Sequence, residues 1–357
     1  MSTISQALFV IATVLPLFRP TAAASYGLVK EYAGSTFFND WTFYDHFDNL
    51  TNGDTIFVSA STAASSKLAF VDPATNHGII KVDNTSTVPF NEKRNTVRIT
   101  SNDGYGIGSV AAWSQAPGWP TGGEIDTFEG VNLVTRNQMG LHTLPGCTAV
   151  GASQAASSIT NSTDCSYLAN SNEGCTVTDG NIESYGQAFA NAGGGVFVTE
   201  FASSGISAWF FARANVPSSV SSNSSTLDTS TLGTPTGNWP SAGCEIDKFF
   251  ETQNLIFDIT LCGDFAGATS IFSQTCTGVC YNDYVIGNGT NYGTAYFEIA
   301  SVRVFSVNGT TTVVKGDGGG NGSGTSSTTS NSGSQGKQGR MVNLLFLFTS
   351  GMIGLFA

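Results

Sequence analysis

Seven short runs rich in β-branched, aromatic and aliphatic residues set the limits on this fold: residues 54–58, 78–82, 96–100, 195–200, 206–211, 255–259 and 296–304. Gly, Asn, Asp or Pro stands between or beside them. Such residues pack well on a pleated surface, so runs of this length read as strands. No long stretch carries the 3.6-residue period of a helix, and no segment repeats. The prediction is an all-β body over residues 25–315, built as a sandwich of two antiparallel sheets. One of these can curve into a concave cleft.

The two ends read differently. Residues 1–24 hold an apolar run (7–18), then Arg19, Pro20 and the small residues Ala22, Ala23 and Ala24, the pattern of a signal peptide. Residues 316–340 are a Gly/Ser/Thr-rich linker with too little apolar surface to fold. Residues 341–357 are an apolar terminus behind Lys337 and Arg340. With Asn331-Ser332-Gly333 upstream, this suits a glycolipid-anchor signal; a single membrane-spanning helix is the alternative. Sequons occur at Asn49, Asn84, Asn161, Asn223, Asn288, Asn308 and Asn321. Together these features predict a secreted or cell-surface glycoprotein, monomeric, touching membrane only through a lipid anchor.

Charged residues are 11% of the chain and the net charge is −12, so no basic stripe is available to neutralise phosphates and nucleic acid is excluded as a partner. A neutral polymer is compatible, although acidity alone also serves solubility. The seven cysteines are Cys147, Cys165, Cys175, Cys244, Cys262, Cys276 and Cys280. A secreted domain favours an even number, so one is expected to be unpaired.

The segment richest in chemistry runs from Trp119 to Asn132. On a strand Glu124 and Asp126 share a face while Ile125 takes the other. Strict alternation sends Glu129 to the wrong side. A β-bulge near Thr127-Phe128 adds one residue and brings it back. Three like charges on one strand face repel, which is costly for structure alone. A solvated acidic edge or a calcium site is the bland reading. The chemical reading is a pair of glutamates close enough for double displacement at a sugar bond.

Gly123-Glu124-Ile125-Asp126-Thr127-Phe128-Glu129-Gly130, continuing into Val131-Asn132, resembles the signature of glycoside hydrolase family 16. It has the bulged E-x-D-x-x-E form of laminarinase-like endo-β-1,3(4)-glucanases. Gln138-Met139-Gly140-Leu141-His142-Thr143, Ser35-Thr36-Phe37-Phe38 with Trp41, residues 47–53 and Arg94-Asn95-Thr96-Val97-Arg98 are similar to the fungal members. The resemblance implies a β-jelly-roll fold and retaining endo-cleavage of β-1,3- or mixed-linked glucan, with no cofactor or metal in the reaction. It implies Glu124 as nucleophile, Glu129 as acid/base and Asp126 as assistant. From its place between them, the charge of Asp126 would help keep Glu129 protonated and its hydrogen bond could orient Glu124.

Gln138, Gly140 and His142 alternate onto one face, so His142 reaches the cleft if its strand pairs with the motif. Trp113 and Trp119 flank the acids and are candidate sugar platforms, with core packing as the alternative. Trp209 and Trp239 are weaker cleft candidates. Arg94 and Arg98 read as surface residues, a sugar hydroxyl being the other possible partner. Compared with the family, about one strand and its loop are missing between Arg98 and Glu124, and Cys147 is the cysteine expected to have lost its partner. Either sheet edges are left bare there or the neighbours close the gap. Two other functions fit the same residues: a wall-remodelling transglycosylase, and a non-catalytic glucan-binding protein.

Overall fold

The computed structural model describes residues 25–107, 113–220, 224–307 and 313–315. The expected leader, linker and apolar terminus lie outside these residues. Each of the seven runs forms a strand. Residues 96–100 contribute to Arg94–Thr96 and Arg98–Tyr105, and residues 296–304 are split into Tyr296–Ile299 and Ser301–Ser306. Among the described residues helices are two turns at most; the longest of these covers Thr269–Thr275. The fold is all-β.

One large sheet carries the acidic motif. Its hydrogen-bonded order is Ile159–Thr160, Cys175–Thr178, Gln138–His142, Glu124–Glu129, Trp113–Gln115, Gln253–Asp258, Arg98–Tyr105 and Trp41–Phe43. Beneath it lie Gly195–Ala202, Gly205–Ala212 and Gly237–Pro240, joined as a second antiparallel sheet. Ile125, Met139, Leu141, Leu255 and Phe257 face down into the space between the layers, where Phe197, Phe201, Ile206 and Phe210 meet them. Burying each such side chain contributes about 1.5–3 kcal/mol. A one-residue slip of either central strand would put acids in this core and Ile125 in water, so the register is strongly set.

The lower sheet is buried on both faces. Phe197 and Phe210 point to the main core, while Val196, Val198 and Trp209 point outward into a second cluster with Leu227, Leu232 and Phe305. This is why runs 195–200 and 206–211 are apolar on both faces. It also removes two tryptophans from consideration: Trp209 packs in the outer cluster and donates to Gly233 O, and Trp239 is core, donating to Cys175 O at 3.0 Å.

Three further expectations need correction or resolution. Cys147 is not the odd cysteine: it bonds Cys244, with Cys165–Cys175 and Cys262–Cys280 as the other bridges. Thr148 N–H donates to Gly243 O at 2.8 Å, which brings the two segments side by side and Cys147 against Cys244. The unpaired thiol is Cys276, buried after the helix Thr269–Thr275. Arg94 is not on the surface. It is fully buried, donating to the carbonyls of Val285, Asp83, Ser86 and Gly287 at 2.9–3.2 Å. Arg98 is buried as well, 3.2 Å from Asp258. Around the shortened region, neighbouring strands pair in turn from the motif strand through Trp113–Gln115 and Gln253–Asp258 to Arg98–Tyr105, with a register shift between Asn254 and Ile256 in the last pairing. The neighbours close the gap, and Val313–Val314 covers part of the outer edge at Tyr105 and Gly104.

Candidate active site

The motif strand pairs antiparallel with Gln138–His142. Glu124 faces His142, Asp126 faces Gly140 and Glu129 faces Gln138, with a register shift between Asp126 and Glu129. Thr127 and Phe128 together oppose Met139 alone, which is the expected bulge. Both extra side chains point down. The Thr127 hydroxyl meets that of Thr199 at 2.8 Å, and the Phe128 ring lies 5.0 Å from Phe197 and 5.1 Å from Tyr185. The three carboxylates therefore share the upper, concave face.

Each acid has its own environment. Glu124 Oε2 accepts from Gln115 Nε2 at 3.1 Å, and Glu129 Oε2 accepts from Gln138 Nε2 at 2.9 Å. Burial raises the Glu129 pKa; the His142 imidazole and Gln138 amide pull it down, and the Glu124 charge pushes it up. Burial, then the charges of Glu124 and Glu129, hold Asp126 well above the usual carboxyl range, and its hydrogen bond with Glu124 adds to this. Asp126 therefore binds a proton more tightly than a free carboxyl does.

His142 is buried at the end of this row. Its Nδ1 donates to Asn172 Oδ1 at 3.0 Å, and its Nε2 lies 3.4 Å from Asp126 Oδ2. The ring thus stands beside Asp126, and its charge acts on Glu129 as well. Two glycines make room. A Cβ at Gly140 would sit 2.9 Å from Thr176 and on the Asp126 side of the sheet; Gly123 (φ +73°) turns the chain into Glu124 where a Cβ would meet Phe249 O at 2.7 Å.

Trp119 lies in the turn before Gly123 and is 40% exposed, its ring 5.6 Å from Tyr167 in an edge contact. Tyr167 N–H donates to Thr143 O, which places this aromatic pair at the Glu124–His142 end of the row. Trp113 is paired through its backbone with Asp126 and Ile256, but its side chain lies outside the described residues.

Several residues of the site were not read from the sequence. Gln115 follows from alternation once the pairing is known. Asp258, paired with Arg98, stands on the same face; burial raises it to about 6 against the pull of Arg98. Asn137, just before the strand Gln138–His142, contacts the bulge, and nothing in its sequence position marks it. The Tyr185 hydroxyl donates to Gly130 O at 3.0 Å, and burial and the Glu129 charge push its pKa up. Among the described residues no group of three or more His, Cys, Asp or Glu could hold a metal ion.

A two-layer β-sandwich with paired glutamates and an assisting aspartate on one strand of its concave sheet defines a carbohydrate-cleaving class of site. A family model for XgeA-like catalytic domains of glycoside hydrolase family 16 matches residues 41–305, and the chain belongs to that family. It is 36% identical over 300 residues to a protein of Schizosaccharomyces pombe named a probable glycosidase, covering 79% of this chain and 70% of the relative. It is 33% identical over 318 residues to the endo-1,3(4)-β-glucanase xgeA of Emericella nidulans, covering 82% of this chain and 49% of the relative. The chain thus spans about half the length of that relative. Among solved structures, laminarinase 16A of Phanerochaete chrysosporium, with 6-O-glucosyl-laminaritriose in donor and acceptor sites, superposes with a TM-score of 0.73 at 34% identity over 79% of this chain and 100% of its own. An elongating family 16 β-1,3-glucosyltransferase gives 0.69 at 32% identity, over 78% and 99%. These neighbours share the jelly-roll sandwich.

Proposed function

We propose that this protein is an endo-acting, retaining glycoside hydrolase of β-1,3- and mixed β-1,3/1,4-glucans. The observation that carries the reading is the bulge, which puts Glu129 on the same face as Glu124 and Asp126. In the first step the Glu124 carboxylate attacks the anomeric carbon. The glycosidic C–O bond breaks, and the leaving oxygen takes the proton of Glu129. In the second step the Glu129 carboxylate takes a proton from water, the water oxygen attacks the anomeric carbon, and Glu124 is released. The raised Glu129 pKa supports its acid role. Asp126 holds the proton that orients Glu124, and His142, backed by Asn172, sets the position of Asp126. Trp119, exposed beside Tyr167, offers a flat apolar face for a glucose ring; Trp113 is assigned to the same role on sequence position.

Incubation with laminarin and lichenan tests the activity. Glu124→Ala should abolish turnover and be partly rescued by azide, giving the inverted glycosyl azide. Glu129→Ala should lose most on substrates with poor leaving groups. Equal losses on poor and good leaving groups would remove Glu129 from the acid role. Transfer to a second glucan is the alternative outcome, supported by the elongating glucosyltransferase among the neighbours. An added acceptor oligosaccharide would then be lengthened. Binding without turnover would make the chain a glucan-binding protein.

The proposal extends to place. A leader over residues 1–24, a linker over 316–340 and an anchor signal over 341–357 would deliver a monomer to the cell surface or wall. The sequon residues Asn49, Asn161 and Asn288 are exposed, which supports glycan attachment there. Expression of the full chain, followed by release of the mature protein from cell surfaces with phospholipase C, tests the anchor.

A further inference from the structure

We infer that Asn137 is a positioning residue for Glu129, its carboxamide splinting the bulge that holds the acid on the cleft face. The inference rests on Glu129 being the acid/base. Where Thr127 and Phe128 together face Met139, the ladder cannot pair every backbone group. Unpaired buried N–H and C=O groups are costly, so something must replace the missing strand partner. The Asn137 side chain does so: Oδ1 accepts from the Glu129 N–H at 3.0 Å, and Nδ2 donates to the Thr127 carbonyl at 2.8 Å. These two backbone groups flank Phe128, and a carboxamide presents donor and acceptor in the spacing of a peptide group.

The splint is itself immobilised. Asn137 is fully buried, its N–H donates to Ser184 Oγ at 3.0 Å, and its carbonyl accepts from Asp179 N–H at 2.9 Å. The next residue, Gln138, donates to the Glu129 carboxylate. One dipeptide therefore holds Glu129 at both ends, backbone through Asn137 and carboxylate through Gln138. Phe128, packed against Tyr185, Phe189 and Phe197, anchors the bulge from below. Removing the splint should thus loosen the aim of Glu129 rather than unfold the sheet.

The test compares Asn137→Ala and Asn137→Asp with the native chain. On laminarin, Asn137→Ala should lower kcat about 10- to 100-fold, the scale of a misaimed reacting group, with KM changed less than about threefold. On a dinitrophenyl laminaribioside, whose leaving group needs little protonation, the loss in kcat/KM, which reports the first step alone, should be under about fivefold. Asn137→Asp keeps the acceptor but can donate to Thr127 only while protonated. Its activity relative to native should therefore fall as pH is raised from 4 to 8. This series carries the test if the alanine variant does not fold. Equal losses on both substrates, a change confined to KM, or an Asp variant that tracks the native pH profile would overturn the positioning role. Glu129→Ala is run alongside: if it lacks leaving-group dependence, the acid assignment itself falls. If it shows the dependence and Asn137→Ala does not, only the positioning role falls.

Discussion

Gln138→Leu gives the sharpest check on the electrostatics of the acid pair. The Gln138 amide donates to Glu129 Oε2 at 2.9 Å and stabilises the ionised carboxylate, which lowers its pKa against the upward push of burial. Leucine removes the donor and leaves burial unopposed on that side. A hydrogen bond to a charged group contributes about 1.5–3 kcal/mol, and one pKa unit corresponds to about 1.4 kcal/mol, so the shift is about 1–2 units upward. Gln138 is half-buried and water can replace part of the bond, so the lower figure is expected. A general acid works while protonated, so its titration forms the alkaline limb of kcat/KM. The measurement is kcat/KM on laminarin from pH 4 to 9, native against Gln138→Leu. The alkaline limb should move up by about one unit. A limb that stays in place, or moves toward acid, would mean that the proton donor is not the carboxyl held by Gln138.

Three other outcomes follow from the same coordinates. Arg94→Met should cost about 3–5 kcal/mol in urea unfolding, because the carbonyls of Val285, Asp83 and Ser86 lose a buried charged donor; a loss under about 1 kcal/mol would make the Arg94 cluster incidental. Stability should peak on the acid side of neutrality. Asp179 and Asp258, raised by burial to about 6, bind protons more tightly when folded, so their contribution is full below about pH 4 and is lost as pH rises through 6. Asp48 runs the other way: burial would raise it, but the hydroxyls of Thr260 and Thr51 and two backbone N–H groups lower it, so its contribution is lost only in strong acid. Melting temperatures between pH 3 and 8 should therefore be highest near pH 4–5, and a maximum at or above pH 7 would contradict the assignment. Trp119→Ala should weaken kcat/KM on laminarin by about 5- to 100-fold through a stacking loss of about 1–3 kcal/mol, with the affinity for substrate changing most; an unchanged KM would leave the indole without a sugar to hold.

How much of this site could be read from residues alone depends on how far each interaction reaches along the chain. Alternation is local, so Glu124 and Asp126 opposite Ile125, and Gln138 opposite Met139, were legible from spacing. The bulge was legible too, because only an extra residue lets Glu129 rejoin its neighbours. What holds the bulge was not. Asn137 acts through Thr127 and the Glu129 N–H, across a strand pairing no single segment encodes. Arg94 misled for a related reason: a charged side chain reads as solvated, yet four carbonyls from loops up to 193 residues away satisfy it in the interior. Cys147 misled because a count identifies that one thiol is odd but not which backbone segments meet. Asp126 is the most instructive case. Its place between two glutamates suggested a fixed negative charge, and that would hold in water. Inside the sheet, burial and then the charges of Glu124 and Glu129 raise its pKa well above the usual carboxyl range, an effect of packing that spacing along the chain does not carry.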